Sequence, residues 1–373
     1  MRIGLITTLN TNIGDDFIRE GICRVLRILF EGYKIEFVAV NKHKPLTVFP
    51  KWHISRLAGA IQYLPRAKYR IRRTIEGFTS QFGLSKFHSC DLIVQCGTPV
   101  FWPSCHRAEW AKPLWHNIVG SLSRKIPTLN IAAGSCYPWE RQPTTIVDTR
   151  DAQYLRAILS YCELTTVRDI LAQHLCSSLG TQAPLIPCSA FLAPENSIGK
   201  LNRSGVVLIN YMEGAGHYDW NQGIDPSSWR KTISSLIKNL KTRHRLAFLC
   251  HNELEFELAW RLDPLIPRLW PRTASEYFSL ISDAKVALCN RLHASVALAG
   301  LGIPSVAVGT DTRLLMVEAL NLPCFYVKEA SSEKLEYRLE DLFEHRFREK
   351  EHLLSLKSET LRQYIENVGN ATQ

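Results

Sequence analysis

The chain has 373 residues, of which 46% are hydrophobic and 21% are charged, and its formal net charge is +10. This composition excludes a disordered chain and is typical of a soluble globular protein, and the length predicts two domains. No apolar stretch is long enough to span a membrane, and the first residues predict a buried strand rather than a signal peptide.

The eleven cysteines are scattered without a Cys-x-x-Cys pair, and no zinc-ligand spacing is present. Several of them lie in apolar, strand-like runs, as Cys96, Cys250 and Cys289 do. Buried, reduced thiols are therefore expected, which favours a cytoplasmic protein. The sequence predicts neither a metal nor a cofactor.

Strand-like and helix-like segments alternate along nearly the whole chain, which is typical of α/β folds with parallel sheets. The predicted strands are Arg2–Thr7, Ile35–Val40, Asp91–Cys96, Thr128–Ala132, Leu164–Val167, Val206–Asn210, Leu246–Cys250, Val286–Cys289, Ser305–Val308 and Phe325–Val327. The main predicted helices are Asp16–Phe30, Asp151–Tyr161, Ile170–Leu179, Pro226–Lys241, Leu254–Leu262, Ser275–Ser282, Ala294–Leu301 and Arg313–Leu320.

Turn-forming residues at 184–203 predict a linker between two such units. We expect two Rossmann-like domains, at 1–190 and 200–335, whose sheets face a central cleft with their carboxyl edges. A helical, charged segment at 336–373 either crosses back onto the first domain or pairs between subunits.

Basic and aromatic residues are concentrated at 51–73, where seven Lys or Arg occur and no acid. One interpretation is peripheral contact with the inner face of a membrane or with a pyrophosphate-linked acceptor. The other is an ordinary solvated face. Nucleic acid is not an expected partner, because no nucleic-acid-binding motif is present.

Polar residues follow the first strand, at the point where the first helix is expected to begin. Asn12 and Gly14 precede Asp15 and Asp16, and Gly14 would allow a tight turn there. One aspartate is expected to cap the helix, which leaves the other free to accept a proton. The helix N-terminus is also a natural place for an oxyanion or a phosphate.

Four further motifs lie at predicted strand ends, the usual ligand edge of such sheets. The third predicted strand ends at Gly97 and Thr98, where small residues would let a ligand approach the backbone. Arg168 precedes Asp169, the expected cap of the next helix. His217 lies in a Gly-rich loop of the second unit, which is a weak signal because such loops are often only turns.

The fourth of these motifs is Arg291-Leu292-His293, where a strand passes into a helix. Arginine presents a planar fork of donors that fits carboxylate or phosphate. Histidine can donate a hydrogen bond or transfer a proton near neutral pH. A helix-capping arginine and a core histidine are the alternative explanation of the same residues.

Five features taken in order resemble the polysaccharide pyruvyl transferase family over about residues 3–322. They are Asn12-Ile-Gly-Asp15, the strand end Asp91…Gly97, Thr166-Val-Arg-Asp169, Arg291-Leu-His293 and Gly302-Ile-Pro-Ser305…Asp311. The resemblance implies a fold similar to GT-B glycosyltransferases, with the acceptor on the first domain and the donor on the second. It also implies transfer of the pyruvyl group of phosphoenolpyruvate to a sugar of a polysaccharide or of its lipid-linked precursor, forming a pyruvate ketal and releasing phosphate. The family's donor-binding residues correspond to Arg168, Arg291, Leu292 and His293.

We expect Arg168 and Arg291 to bind phosphoenolpyruvate, His293 to hold its phosphate or protonate its methylene carbon, and Asp15 to act as base. Asn12, Gly14, Gly97, Thr98 and His217 complete the expected substrate-binding set. The chain departs from the family at Gly97-Thr98, where a double glycine is usual, and this puts the acceptor or even the donor in doubt. The alternatives are a nucleotide-sugar-dependent glycosyltransferase of the same architecture and, less favoured, a non-catalytic sugar-binding protein.

Overall fold

The computed structural model describes residues 1–53, 56, 85–97, 99–195, 205–218 and 220–373. Thr98, most of the basic segment 51–73 and part of the predicted linker 184–203 lie outside the described residues. The membrane contact expected of 51–73 and the predicted domain limits at 190 and 200 therefore stay predictions.

The first sheet is parallel and comes from the first half of the chain. Its strands are β1 (Arg2–Thr7), β2 (Glu36–Asn41), β3 (Leu92–Cys96), β4 (Pro99–Phe101), β5 (Thr128–Ser135) and β6 (Leu164–Val167). They lie in the order β2-β1-β3-β5-β4, and β6 also pairs with β5. β3 and β5 are buried along their whole length, as expected of parallel strands with both faces covered.

The second sheet is also parallel and comes from the second half of the chain. Its strands are β7 (Val206–Asn210), β8 (Arg245–Leu249), β9 (Arg268–Leu269), β10 (Ala284–Cys289), β11 (Ser305–Gly309) and β12 (Cys324–Tyr326). Their order, β12-β11-β10-β7-β8-β9, is that of a Rossmann sheet. In such a sheet the strand order reverses between β7 and β10, so ligands bind beyond the carboxyl ends of these two strands.

Ten α-helices connect or cover the strands of the described regions. They are α1 (Ile13–Leu29), α2 (Thr149–Tyr161), α3 (Ile170–Ser178), α4 (Pro226–Leu240), α5 (Glu253–Leu262), α6 (Ala274–Ile281), α7 (Leu292–Ala299), α8 (Leu315–Glu318), α9 (Ser332–Glu344) and α10 (Arg346–Thr372), besides a helical turn at Gly120–Leu122. Among the helices of the described ranges, none has both the length and the hydropathy needed to cross a bilayer.

The predicted α/β alternation is confirmed, with three differences. β4 and β9 were not predicted, because runs of three and two residues are too short to show a periodicity. The helix Ala111–Val119 was also not predicted, since it is π-helical and contains Pro113, which normally interrupts an α-helical pattern.

A polar seam joins the two halves of the chain beside the ends of β5 and β11. The Thr312 hydroxyl lies 2.8 Å from that of Ser135 and accepts a hydrogen bond from the Tyr137 amide. Pro138 and Asp311 form an isolated antiparallel bridge across the same seam. These contacts fix the distance between the two sheets at the cleft.

The final helix, α10, crosses back onto the first half of the chain, which is one of the two arrangements expected for it. The Tyr364 hydroxyl donates to the Pro187 carbonyl at 2.9 Å. The Lys357 ammonium donates to the carbonyls of Pro194 and Gly300 at 2.7 and 2.8 Å. Since Gly300 ends α7 and Pro194 belongs to the first half, this lysine ties the two halves together behind the cleft.

Candidate active site

A cavity of about 290 Å³ opens between the carboxyl ends of the two sheets. From the first half of the chain it is lined by Thr8, Thr11, Asn12, Asp15, Lys42, His43, Trp102 and Trp110, and from the second by His217, Tyr218, His251, Asn252, Arg291, His293 and Arg313. A smaller hollow of about 30 Å³ shares several of these residues and extends to Leu292, Gly309 and Asp311. The cleft predicted from the strand order is therefore present.

His293, at the cavity wall, contacts the buried Arg168 of the other half of the chain. The sequence predicted that these two motifs lie close together. The Nη1 atom of Arg168 lies 3.1 Å from Nε2 of His293. Since a guanidinium can only donate, Nε2 must be the acceptor, which places the imidazole proton on Nδ1. Burial, reinforced by the charge of Arg168, holds the pKa of His293 well below its usual range. The imidazole is therefore neutral at neutral pH.

Arg168 itself is fully buried and does not line the cavity. Its Nη1 atom contacts the Cys188 sulfur at 3.6 Å, while Nε and Nη2 have no hydrogen-bond partner among the described residues. A Cβ on Gly134 would lie 2.4 Å from the Arg168 Nε, so the missing side chain at this glycine makes room for the guanidinium. A buried charge with two unsatisfied donors is costly, and a bound anion would remove that cost.

Gly14 lies inside α1, against His293. The tight turn before the helix that was predicted for this glycine is therefore wrong. Gly14 belongs to the first turn of α1, and its φ is not in the left-handed region. A Cβ at this position would lie 2.9 Å from the His293 Cβ and 3.0 Å from its Nδ1. The absence of a side chain at Gly14 therefore permits the contact between α1 and the histidine.

We expect Gly14→Ala to lower activity by at least about tenfold, because the added methyl group must displace the His293 ring by enough to disturb its alignment. Stability should change little, since alanine favours a helix over glycine by about 1 kcal/mol and this gain offsets the crowding. Turnover and urea denaturation together measure both effects. Asp16→Ala, in the same turn of α1, is the matched control. Equal activities of the two variants would contradict the role given to the Gly14 contact.

Asn12, and neither of the two aspartates, caps α1, so the predicted aspartate cap is wrong. The Asn12 Oδ1 accepts a hydrogen bond from the Gly14 amide at 3.1 Å. Asp16 forms an ion pair with Arg19 at 2.7 Å. Asp15 lines the cavity, and no side chain of the described regions donates a hydrogen bond to its carboxylate. Burial raises the pKa of Asp15, although the charges of Lys42, Arg168 and His43 oppose this effect.

Lys42 is a cavity residue that the sequence reasoning missed. It is 5% exposed, and its ammonium lies 4.6 Å from the centre of the Trp110 ring. Burial lowers the pKa of Lys42 to about 8, against the opposing effect of the Asp15 carboxylate. Because Lys42 follows the end of β2, the strand-end rule that selected Arg168 and Arg291 would have found it too.

Arg291 lines both hollows, at the start of α7. Its Nε and Nη2 atoms lie 2.7 and 2.6 Å from one oxygen of Glu255, which is 3% exposed. Its amide donates to the Asn210 side chain at 2.7 Å, and its own side chain makes no helix-capping hydrogen bond. The first amides of α7 therefore remain without a side-chain cap beside the cavity, where they favour an anion. Leu292, the next residue, lines the smaller hollow.

A second arginine–carboxylate pair lies on the same side of the cavity. Arg313 contacts both oxygens of Asp311, at 2.8 and 2.6 Å, and packs over the Tyr218 ring at 4.9 Å. His217 lies beside Tyr218 at the rim and lines both hollows, in the place expected of a substrate-binding residue. His251 lines both hollows too, and burial lowers its pKa to about 4.

Gly97 is not brought to the walls of either hollow. Its φ is +50°, and a Cβ there would lie 2.5 Å from the Ile18 Cγ2, so the structure gives this glycine a packing role against α1. The approach of a ligand to its backbone stays a prediction. Thr98 lies outside the described residues.

His106, Asp148 and Asp151 place possible metal-ligand atoms within 4.8 Å of one another. Their oxygens already have partners, since Asp151 accepts from the amides of Ser104 and His106 and Asp148 caps α2. This cluster is accounted for by the local fold.

Comparisons with known proteins show the family of the chain and its fold. The sequence profile of the polysaccharide pyruvyl transferase family matches residues 12–312. None of the curated proteins compared with the chain matches it.

Solved structures with a similar fold include two UDP-GlcNAc 2-epimerases. That of Neisseria meningitidis, bound to UDP-GlcNAc, has a TM-score of 0.54 and 11% identity, covering 98% of this chain and 100% of that chain. That of Methanocaldococcus jannaschii has a TM-score of 0.53 and 12% identity, covering 91% and 92%. At these identities the likeness shows the fold, which is GT-B-like. The family match spans most of the chain, and the protein belongs to the polysaccharide pyruvyl transferase family.

Proposed function

We propose that this protein transfers the pyruvyl group of phosphoenolpyruvate to a sugar of a cell-surface polysaccharide or of its lipid-linked precursor, forming a ketal and releasing phosphate. The observation that carries the proposal is the buried Arg168 guanidinium, which lacks a carboxylate partner among the described residues and donates to a neutral His293 at the cavity wall. A small, strongly anionic donor is the ligand that such a site would bind.

The arginines around the cleft divide into two kinds. Glu255 neutralises Arg291 and Asp311 neutralises Arg313, so these two arginines are held in place and still present their remaining donors to the cavity. Arg168 has no such partner in the described regions. We assign the paired arginines to orienting the donor, and Arg168 to the attraction of its negative charge.

His293 acts as the proton donor to C3 once the donor has bound. In the free protein burial, reinforced by the surrounding cations, holds the pKa of His293 low and keeps the imidazole neutral. A carboxylate and a phosphate placed beside it would offset those charges and raise its pKa, so that the imidazolium forms in the complex. Since both nitrogens of an imidazolium donate, Arg168 then gives up its hydrogen bond to Nε2 and donates to the bound anion instead. Binding of the donor and protonation of His293 are thereby linked.

The reaction begins at C3 of the donor. Protonation of C3 leaves a cationic C2, which a first sugar hydroxyl attacks while Asp15 accepts its proton. The bond from C2 to the bridging oxygen breaks, and phosphate leaves with that oxygen. A second hydroxyl attacks C2 and closes the ketal, and its proton leaves on the phosphate. The raised pKa of Asp15, caused by burial, makes its carboxylate a stronger base than an exposed aspartate.

Calorimetric titration with phosphoenolpyruvate tests the donor. We expect saturable binding to the wild type and a dissociation constant raised about tenfold or more in Arg291→Lys, because lysine keeps the charge beside Glu255 and loses the planar fork. Arg291→Ala is less informative, since removing one partner of a buried pair costs about 3–5 kcal/mol of stability. Arg261→Lys, on the exposed face of α5, is the control.

The same titration separates the alternative function. Saturable binding of UDP-GlcNAc or UDP-glucose, with none of phosphoenolpyruvate, would move the protein to the nucleotide-sugar-dependent glycosyltransferases. His293 would then lose the role of proton donor to carbon.

A further inference from the structure

Two tryptophans form an aromatic wall on the side of the cavity contributed by the first half of the chain. Trp102 and Trp110 both line the cavity, and their rings are parallel within 2°, with centroids 6.0 Å apart. The opposite side carries Arg291, His293 and Arg313. The first side therefore carries both tryptophans besides Lys42, and the second, the cationic side, carries both arginines besides Tyr218.

Trp110 is the fixed member of the aromatic wall. It is 9% exposed, the Lys42 ammonium lies over its ring, and His43 meets its ring edge-on at 5.0 Å. The His43 Nδ1 in turn lies 2.7 Å from a Glu109 oxygen. Trp102 is half-buried, so it is the member that presents ring surface to a ligand.

The donor does not need an aromatic surface in order to bind. Phosphoenolpyruvate is small and strongly anionic, and its charges are matched by the cationic side. A pyranose ring, in contrast, has a flat C–H face that packs on an indole and hydroxyl groups around its edge that need polar partners. Asp15, Thr8 and Thr11 line the same half of the cavity and supply those partners.

We propose that the aromatic wall of Trp102 and Trp110 is the acceptor subsite, where a pyranose ring stacks on Trp102 with its reacting hydroxyls directed toward Asp15 and the donor. The inference rests on the proposed function, because it assigns the acceptor to the wall that the donor does not need. It makes Trp102 a specificity-determining residue and Trp110 its support.

The test is saturation-transfer NMR with methyl β-D-galactopyranoside, methyl β-D-glucopyranoside and methyl α-D-mannopyranoside, each with protein loaded with phosphoenolpyruvate. We expect transfer to the ring protons of at least one glycoside in the wild type. Trp102→Ala should weaken the binding of that glycoside by about tenfold or more. Trp102→Phe, which keeps a flat face, should weaken it less. Trp260→Ala, at an exposed site on α5, should behave as the wild type.

Calorimetry with phosphoenolpyruvate shows whether each variant is folded and whether its donor site is intact. Lost glycoside contact with unchanged donor binding in Trp102→Ala upholds the subsite. Unchanged glycoside contact in that variant, or no transfer to any glycoside in the wild type, would overturn it. If phosphoenolpyruvate fails to bind the wild type, the proposed function fails, whereas the glycoside comparison repeated without the donor still decides the subsite.

Discussion

Replacing His293 by glutamine should lower the turnover of pyruvyl transfer by roughly 10²–10⁴-fold, the contribution usual for a positioned proton donor. Glutamine has a similar reach and can still accept the hydrogen bond from Arg168, but it cannot protonate a carbon. Donor affinity should therefore fall much less than turnover. Phosphate release in the presence of a glycan extract gives the turnover, and calorimetry gives the affinity.

His352→Gln is the matched control for this experiment, because His352 is exposed on α10 and lies far along the chain from the cleft motifs. It should retain wild-type turnover. A His293→Gln variant that also retained wild-type turnover would remove the histidine from the chemistry and leave it as a ligand of the phosphate.

Replacing Arg168 by methionine should abolish donor binding at accessible concentrations and yet leave the protein as stable as the wild type or more stable. The guanidinium is fully buried, and two of its nitrogens lack a hydrogen-bond partner in the described part of the chain. Exchanging buried charges for apolar groups of similar volume is often neutral or stabilising by about 1–4 kcal/mol. We therefore expect the unsatisfied guanidinium of Arg168 to lower the stability of the protein when no anion is bound, because the site binds an anion.

The same variant should change the pH dependence of His293. The charge of Arg168 is one cause of the low pKa of this imidazole, and burial is the larger one. Removing the charge raises that pKa toward the usual value, so His293 of the variant binds a proton at a higher pH than in the wild type. Histidine titration by NMR would then move upward in Arg168→Met. An unchanged titration would show that burial and the other nearby cations, without Arg168, set the pKa.

Urea denaturation of Arg168→Met, with Arg261→Met as the exposed control, measures the stability change. A large loss of stability in Arg168→Met alone would contradict the account, because it would mean that the guanidinium is a structural element rather than an unsatisfied charge awaiting a ligand.

Much of the architecture could be predicted from the sequence because apolar strands and amphipathic helices alternate with few interruptions. The same alternation placed Arg168 and Arg291-Leu292-His293 at strand ends, and strand ends of facing sheets converge. The 3.1 Å contact between Arg168 and His293 follows from that rule together with the seam that sets the distance between the sheets.

The partners of these residues could not be predicted in the same way. Glu255 belongs to an amphipathic helix whose acids look solvent-exposed, and only the tertiary structure turns it toward Arg291. Trp102 follows β4, a strand too short to recognise. The cap of α1 was misplaced because several residues before the helix are good capping types, and hydrogen-bond geometry chose Asn12 among them.

The central claim is tested most directly by following the pyruvyl carbons. The purified protein is incubated with [¹⁴C]phosphoenolpyruvate and a lipid-linked glycan fraction, beside a parallel reaction with UDP-[¹⁴C]glucose and UDP-[¹⁴C]GlcNAc. We predict that label from phosphoenolpyruvate enters the glycan with release of one phosphate per pyruvyl group, and that mild acid returns the label as pyruvate. Label entering from a nucleotide sugar, with none from phosphoenolpyruvate, would contradict the account.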